Sequence, residues 1–307
     1  MIKVERCKCP PALDASDPNS PGQVELAKLS ARLASGEVLK SDDFKAYRRE
    51  EVRDALKDMF NGKCAYCERP VAGGGGEEIE HYRPKKGVSE ADELGIDHPG
   101  YWWLAMDWSN LVLSCEHCNQ WRKRQVEIPD DVVTVEELKT FFESDPRATG
   151  SGKQNSFPTA DNVWITDPAA DVASEKPLII DPSADGNPED HLDWVIFKGA
   201  STVRAKNGSK AGEASRKILG LNRRWLEEER RAQLGLMQVQ HNRIISKLQD
   251  WVDEENPAVK DYIAQTVDEL VDDLLVYLDK KQPFIGLARA YIKSIKEEVA
   301  IWQSNAR

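Results

Sequence analysis

The chain has 307 residues, 40 % apolar and 31 % charged, an ordinary composition for a folded globular protein of one large or two small domains. Its 42 lysines and arginines face 53 aspartates and glutamates, for a net charge of −11. That excludes a globally basic protein that coats nucleic acid by charge alone; any such site must be a local basic patch or be completed by a partner.

No run approaches the roughly 18 apolar residues of a membrane span. The opening Met-Ile-Lys-Val-Glu-Arg-Cys lacks a signal peptide's apolar stretch. A cytoplasmic protein with no membrane contact is expected.

Residues 1–62 read as an N-terminal helical segment. After Cys9-Pro10-Pro11, one helix is predicted from Gly22 to Ala34, with Val24, Leu26, Leu29 and Leu33 apolar and Gly36 as its stop. Ser41 then caps a second predicted helix. Asp42 and Asp43 suit its positive end, Phe44, Tyr47, Leu56 and Met59 lie along it, and Gly62 ends it. Residues 63–130 hold two cysteine pairs, the Gly73–Gly76 run, two short strands and a basic helix. Residues 131–206 read as a mixed extension of loops and short strands. Lys176–Asp181 is predicted to be a buried strand and Trp194–Phe197 another, followed by the turn residues Lys198-Gly199. Residues 207–307 read as helical. Val259, Ile263, Val267, Leu270, Leu274 and Leu278 recur at spacings of three and four, as do Leu287, Tyr291, Ile295, Val299 and Trp302. Such stripes mean core packing. Asn256-Pro257 and Gln282-Pro283 stand where proline can open a helix.

The chemistry concentrates between Lys63 and Lys123. Cys64-x-x-Cys67 is followed, after 47 residues, by Cys115-x-x-Cys118. Each pair can bite one ion from a tight turn, and four thiolates satisfy tetrahedral zinc in a closed, structural site. The zinc would then staple the two ends of a long insertion. Within it, Ile79-Glu80-His81-Tyr82-Arg83-Pro84-Lys85 reads as a strand ending in a basic turn. Trp108–Ser114 reads as a loop and second strand, and Cys118–Arg124 as the start of a helix.

This order of strand, loop, strand and helix, with Glu80-His81, Asn110-Leu111 and Cys115-x-x-Cys118-Asn119, resembles the zinc-stapled branch of the HNH endonucleases, which have a ββα-metal active site. Tyr101-Trp102-Trp103-Leu104-Ala105, Lys176–Pro182, His191-Leu192 and Leu219–Arg223 narrow the resemblance. It points to the HNH subunit (PtuB-like) of Septu and retron-associated two-gene antiphage systems. It covers about Lys63 to Arg223. It implies an α+β, mostly α fold, with a zinc-stapled ββα-metal HNH core between N-terminal helices and a C-terminal helical bundle. It implies an endonuclease effector acting on DNA, with tRNA or other RNA also open, beside an SMC- or ABC-like ATPase partner (PtuA-like).

In that frame His81 is the general base, because neutral imidazole can take a proton from water near pH 7. Glu80 and the Asn119 side-chain carbonyl would ligate Mg²⁺ or Mn²⁺, which stabilises the leaving oxygen. Asn110 would hold the loop that orients His81. Arg83, Lys85, Arg122, Lys123 and Arg124 would grip phosphates. The chain departs from the family in two places. Glu80 stands where aspartate is more usual, and Asn119 where histidine is common, which implies a loosely held, exchangeable metal.

Other residues carry less. His117 reads as exposed on the knuckle, His98 as loop, His191 as a structural cap and His241 as surface. Cys7-x-Cys9 is two ligands short of a metal site. Gly73–Gly76 reads as a hairpin tip, and Tyr101, Trp102, Trp103 and Trp108 as core beside the strands. The alternative function is a non-catalytic zinc-knuckle module that binds nucleic acid or protein.

Overall fold

The computed structural model describes residues 1–71, 76–184, 186–196 and 199–305, without the side chains of Arg124 and residues 297–305. Gly73–Gly75, Phe197, Lys198 and the side chains of Val299 and Trp302 therefore lie outside the described residues. The chain divides into two compact units, each built from separate stretches: 1–125 with 148–193 and 204–221, and 126–147 with 194–203 and 222–307.

In the first unit, helix α1 (Pro21–Ala34) starts where expected, with Ser20 capping it by accepting from the Gln23 N–H. The second predicted helix is broken. Ser41–Asp43 and Ala46–Arg48 are single 3-10 turns, and only Glu50–Met59 (α2) is α-helical. The reason is local competition. The Glu25 carboxylate accepts the backbone N–H groups of Lys45 and Ala46 at 2.6 and 2.9 Å, and Asp43 accepts that of Lys40. Those donors are thus lost to a continuous helix.

Two strands carry the centre of this unit. β1 (Glu77–His81) pairs antiparallel with β2 (Leu111–Cys115), with Glu77 opposite Cys115 and His81 opposite Leu111. All of β2 is buried, and α2 packs on it through the apolar face containing Val52 and Leu56. Helix α3 (Ser89–Glu93) follows β1, and α4 (Glu116–Asn119) follows β2.

Here the expected basic helix fails. α4 is a single turn, Gln120 is extended, and Arg122–Gln125 forms a strand, β3. β3 pairs antiparallel with Thr149–Ser151 (β4). The carbonyls that would propagate a helix are taken from outside: Cys118 O accepts from Lys153 N–H at 2.8 Å and Asn119 O from Gln154 N–H at 2.5 Å. Gly152 lies so close that a Cβ there would sit 2.0 Å from Gln120 O.

Lys176–Asp181 is buried in part, as expected, but is not a regular strand. It is a single extended pass pinned by Leu178 N–H to Pro158 O and by Ile180 N–H to Ser215 Oγ. Helix α6 (Lys210–Ile218), capped by Ser209, closes the unit.

The second unit is helical. α5 (Val135–Glu143) carries a full capping box with Thr134 and Glu137, and Leu138 packs with Ile128 and Ala200. The long helices are α7 (Arg224–Asp253), α8 (Pro257–Leu275) and α9 (Ile285–Asn305). Pro257 opens α8 with Asn256 as cap, whereas Pro283 stands two residues ahead of α9. The predicted stripes are covered unequally. Leu287 and Tyr291 of α9 are buried, but on α8 only Leu274 is, and Val259 is exposed. α8 packs mainly along α7, and one neighbour covers only one side of a helix. His241, expected at the surface, is half-buried, and its Nδ1 lies 3.0 Å from Tyr291 Oη. The strand near Trp194 spans Leu192–Val195 (β5), with Thr202–Ala205 (β6) its partner.

His98, expected in a loop, is buried and hydrogen-bonded at both ring nitrogens. Nδ1 accepts from Gly100 N–H at 3.0 Å, so Nε2 carries the proton and donates to Ile165 O at 3.1 Å. Burial lowers its pKa. Since the folded value lies below the unfolded one, the ring's contribution is complete above about pH 6.5 and fades as the pH drops through that value toward the folded pKa. The melting temperature is expected to fall more steeply between pH 7.5 and 5 in the wild type than in His98→Gln. Parallel thermal melts across that range check this.

Candidate functional site

The four cysteines converge. Cys64, Cys67, Cys115 and Cys118 are all buried, and their sulfur atoms lie within 4.8 Å of one another. The first knuckle is shaped by a turn in which Glu68 adopts φ +63° and Cys64 N–H reaches Arg69 O at 2.8 Å. It is joined to β2 by Ala65 N–H on Leu113 O at 2.8 Å. The second knuckle runs from the last residue of β2 into α4. Cys67 Sγ and Cys115 Sγ are 3.8 Å apart. A tetrahedral zinc with bonds of about 2.3 Å needs sulfur–sulfur edges of about 3.8 Å. The four side chains can therefore hold a structural metal such as zinc. Burial, together with the crowding of neighbouring thiols, pushes the Cys118 thiol well above its usual range, the effect a bound cation would reverse.

Beside this knuckle lies an open, polar cleft of about 630 Å³. It is lined by His81, Glu80, Glu78, Lys85, Asn119 and Tyr47, among others. His81 ends β1 and is 3 % exposed. Its Nε2 stands 3.0 Å from Ala105 O, a partner that can only accept, so Nε2 bears the proton and Nδ1 keeps its lone pair. Nδ1 lies 3.4 Å from Lys85 Nζ, and the Tyr47 ring meets the imidazole edge-on at 4.5 Å. Burial, reinforced by the Lys85 charge, holds His81 well below the ordinary histidine pKa, so the ring is neutral at pH 7.

Asn110 holds the loop that carries His81. It accepts Arg83 N–H at 2.7 Å and donates to Arg83 O and Leu104 O, while its own carbonyl takes Tyr82 N–H. Asn119 lines the same cleft. Its Nδ2 donates to Glu78 at 2.5 Å, which leaves Oδ1 as a hard oxygen. Gln120 donates to the same carboxylate.

Glu80 is tied elsewhere. Lys153 Nζ, itself 1 % exposed, donates to Glu80 Oε1 at 2.8 Å and to His81 O at 2.9 Å. Burial raises the Glu80 pKa and Lys153 opposes that rise.

Of the five cations expected at phosphates, Lys85 lines the cleft. Arg83 does not: it is paired with Glu175 at 2.8 Å and donates to Val172 O. Arg122 is paired with Glu116 at 2.8 Å, Lys123 is exposed, and the Arg124 side chain lies outside the described residues. His191 bonds Ser209 at 2.8 Å, in keeping with a structural role, and His117 sits between Glu116 and Gln125. Tyr101 and Trp108 are core, as expected.

Sequence reasoning missed Glu78, Lys153, Tyr47 and Arg48. The period of two along β1 puts Glu78 on the face of Glu80, a signal that was available. Lys153 follows Gly150-Ser151-Gly152 and carries no signal beyond a loop.

Compared with known proteins, the chain is 36 % identical over 230 residues to Septu protein PtuB of Bacillus mycoides (strain KBAB4). The match takes in 75 % of this chain and 66 % of that protein. A second similarity is 27 % identity over 180 residues to Septu protein PtuA of the same organism, covering 57 % of this chain and 20 % of PtuA. The chain thus spans just under two thirds of the first relative and a fifth of the second. No family model matches, and no solved structure matches.

Three outcomes follow from this geometry. Elemental analysis of the purified chain is expected to find one zinc per molecule. Cys118→Ser should lower the melting temperature by roughly 10 °C or more, since each kcal/mol lost moves a domain of this size by about 2–4 °C. Lys153→Met strands a buried carboxylate and should cost about 3–5 kcal/mol in denaturant unfolding, and Lys153→Met with Glu80→Gln should recover part of that.

Proposed function

The chain is PtuB-like, and from that premise we propose that it is a metal-dependent HNH endonuclease, the effector of a Septu antiphage defence system. One observation carries the reading. A buried, neutral histidine with an unprotonated Nδ1 lines a polar cleft that Asn119 also lines, beside a four-cysteine knuckle. DNA is the first substrate proposed, with tRNA as the second.

In this reading His81 Nδ1 takes the proton of an attacking water. The Ala105 carbonyl, bonded to Nε2–H, fixes the tautomer and stabilises the imidazolium that forms. Asn110 acts through the loop it closes and is a positioning residue. Lys85, Lys86 and Arg48 bring positive charge to the cleft and counter the charge that builds on the phosphate. Among the described residues no second group of three His, Cys, Asp or Glu ligands converges. Mg²⁺ often accepts such a site, because it keeps several waters and takes one or two protein oxygens. Asn119 Oδ1 and the Glu78 and Glu80 carboxylates would hold it, Glu80 in competition with Lys153. When bound, the ion would neutralise charge on the phosphate and the leaving oxygen.

The acidic body, net −11, supports action with a PtuA-like ATPase that supplies substrate grip. No helix among the described residues is long and apolar enough to cross a membrane.

The test is cleavage of DNA and of tRNA with Mg²⁺ or Mn²⁺, with and without a PtuA-like ATPase. His81→Ala is expected to lose about 10²–10⁴-fold in rate with its zinc content and melting temperature retained. Cleavage that survives His81→Ala would remove the base assignment. Binding without any cleavage by the wild type would favour the zinc-knuckle binding module.

A further inference from the structure

A second cavity, of about 550 Å³, lies in the same unit on the other side of the Asn119–Trp121 segment. The two cavities share Gln154, whose N–H is bonded to Asn119 O. The wall between them is thus the peptide 119–121 clamped to 152–154.

Trp121 forms part of this second cavity and is 54 % exposed, unusual for a residue that costs so much to leave in water. It is nonetheless held in place. The indole packs on Gly150 so tightly that a Cβ there would lie 2.2 Å from the ring, and the adjoining Arg122 pairs with Ser151 across the β3–β4 ladder. The ring is therefore a fixed platform with an open surface.

The rest of the lining decides what it fits. Glu90 and Glu93 are acidic, with Glu90 accepting from Ser156 Oγ and Phe157 N–H, and the two lysines present, Lys153 and Lys217, are each bound to a carboxylate of the protein. A phosphate would meet repulsion there. A flat, neutral heterocycle with an amino group would meet a ring to stack on and the Glu93 carboxylate to accept from it. A cavity of this size has room for one nucleobase.

We infer that Trp121 and this second cavity hold a nucleobase of the strand whose phosphate occupies the His81 cleft. The inference rests on the nuclease reading. It adds that the chain engages an unpaired base, so that single-stranded or locally opened nucleic acid is the form bound. The base stacks on Trp121 while its backbone crosses the wall at Gln120 into the cleft.

The experiment measures binding of a fluorescein-labelled single-stranded DNA of about 12 nucleotides, a typical single-strand site length, to the full chain without added Mg²⁺. The same strand with abasic residues serves as the second probe. Trp121→Ala is expected to weaken binding of the intact strand roughly tenfold, and of the abasic strand little. Gly150→Ala, which must displace the indole, should match it, and Trp121→Phe should restore most of the affinity. Equal affinity of Trp121→Ala and wild type overturns the inference, as does an equal loss on both probes. Cleavage of the intact strand with Mg²⁺ is followed in parallel. If the wild type cuts but Trp121→Ala binds as tightly, only the base site fails. If the wild type neither cuts nor binds the strand, alone or with a PtuA-like ATPase added, the nuclease reading and the base site fall together. If it binds with the Trp121 dependence and never cuts, the base site stands and the nuclease reading falls.

Discussion

Four sulfur atoms drawn to within 4.8 Å of one another hold together the two ends of a 47-residue excursion, and the cleft is built on that excursion. β1 and β2 are only five residues each, and an isolated two-stranded pair of that length is marginal in water. The knuckle supplies the missing constraint. It fixes the far end of β2, and through the antiparallel register it fixes the near end, where His81 lies opposite Leu111. A slip of one residue in that register would send every side chain of β1 to the other face. The sulfur clasp therefore determines which way His81 points, without touching it.

Around His81 the structure solves a second problem, the cost of burying polar groups. Each is given a specific partner. Ala105 O fixes the imidazole proton, Asn110 uses both ends of its amide on the neighbouring loop, and Lys153 neutralises Glu80. A buried charge pair adds little to stability compared with an apolar pair, but removing one member is costly. Lys153 also donates to the His81 carbonyl, so the pair ties the strand that carries the histidine to the 152–154 segment. This explains why glycine stands at 152, where the backbone comes within reach of Gln120 and no side chain fits.

How much of this was legible depended on whether the signal was local. The paired cysteines were legible as a cluster, and the Glu80-His81, Asn110 and Asn119 spacing marks the candidate site, because each is a short motif whose chemistry dictates its residues. The first helix near Gly22, the opening of α8 at Pro257 and the buried Leu287 and Tyr291 of α9 were legible for the same reason. What failed was decided by distant partners. Glu25, twenty residues away in sequence from Lys45, breaks the second predicted helix. Residues 153 and 154 terminate α4 and turn the predicted helix into β3. Arg83 looked like a phosphate ligand because it sits in a basic turn, and Glu175, ninety-two residues on, claims it. A one-dimensional pattern shows a charge but not the charge already waiting for it.

That last point bears on how the cleft could hold a polyanion. Two of the arginines expected to serve it are committed to carboxylates of the chain, and the body carries a net charge of −11. The cations that line the cleft are Arg48, Arg53, Lys85 and Lys86, set beside Glu77, Glu78 and Glu80, and Arg53 is paired with Glu77. Each phosphate contact adds one step of salt-sensitive affinity, and a handful of steps gives weak binding at physiological salt. Affinity sufficient for turnover must then come from contacts that do not depend on net charge: an aromatic platform, a partner's surface, or both. On the proposed reading, an acidic protein whose cleft cations stand among carboxylates gains little from the phosphates that an intact duplex mainly offers, and a strand whose bases can reach the protein would supply the contacts that charge does not.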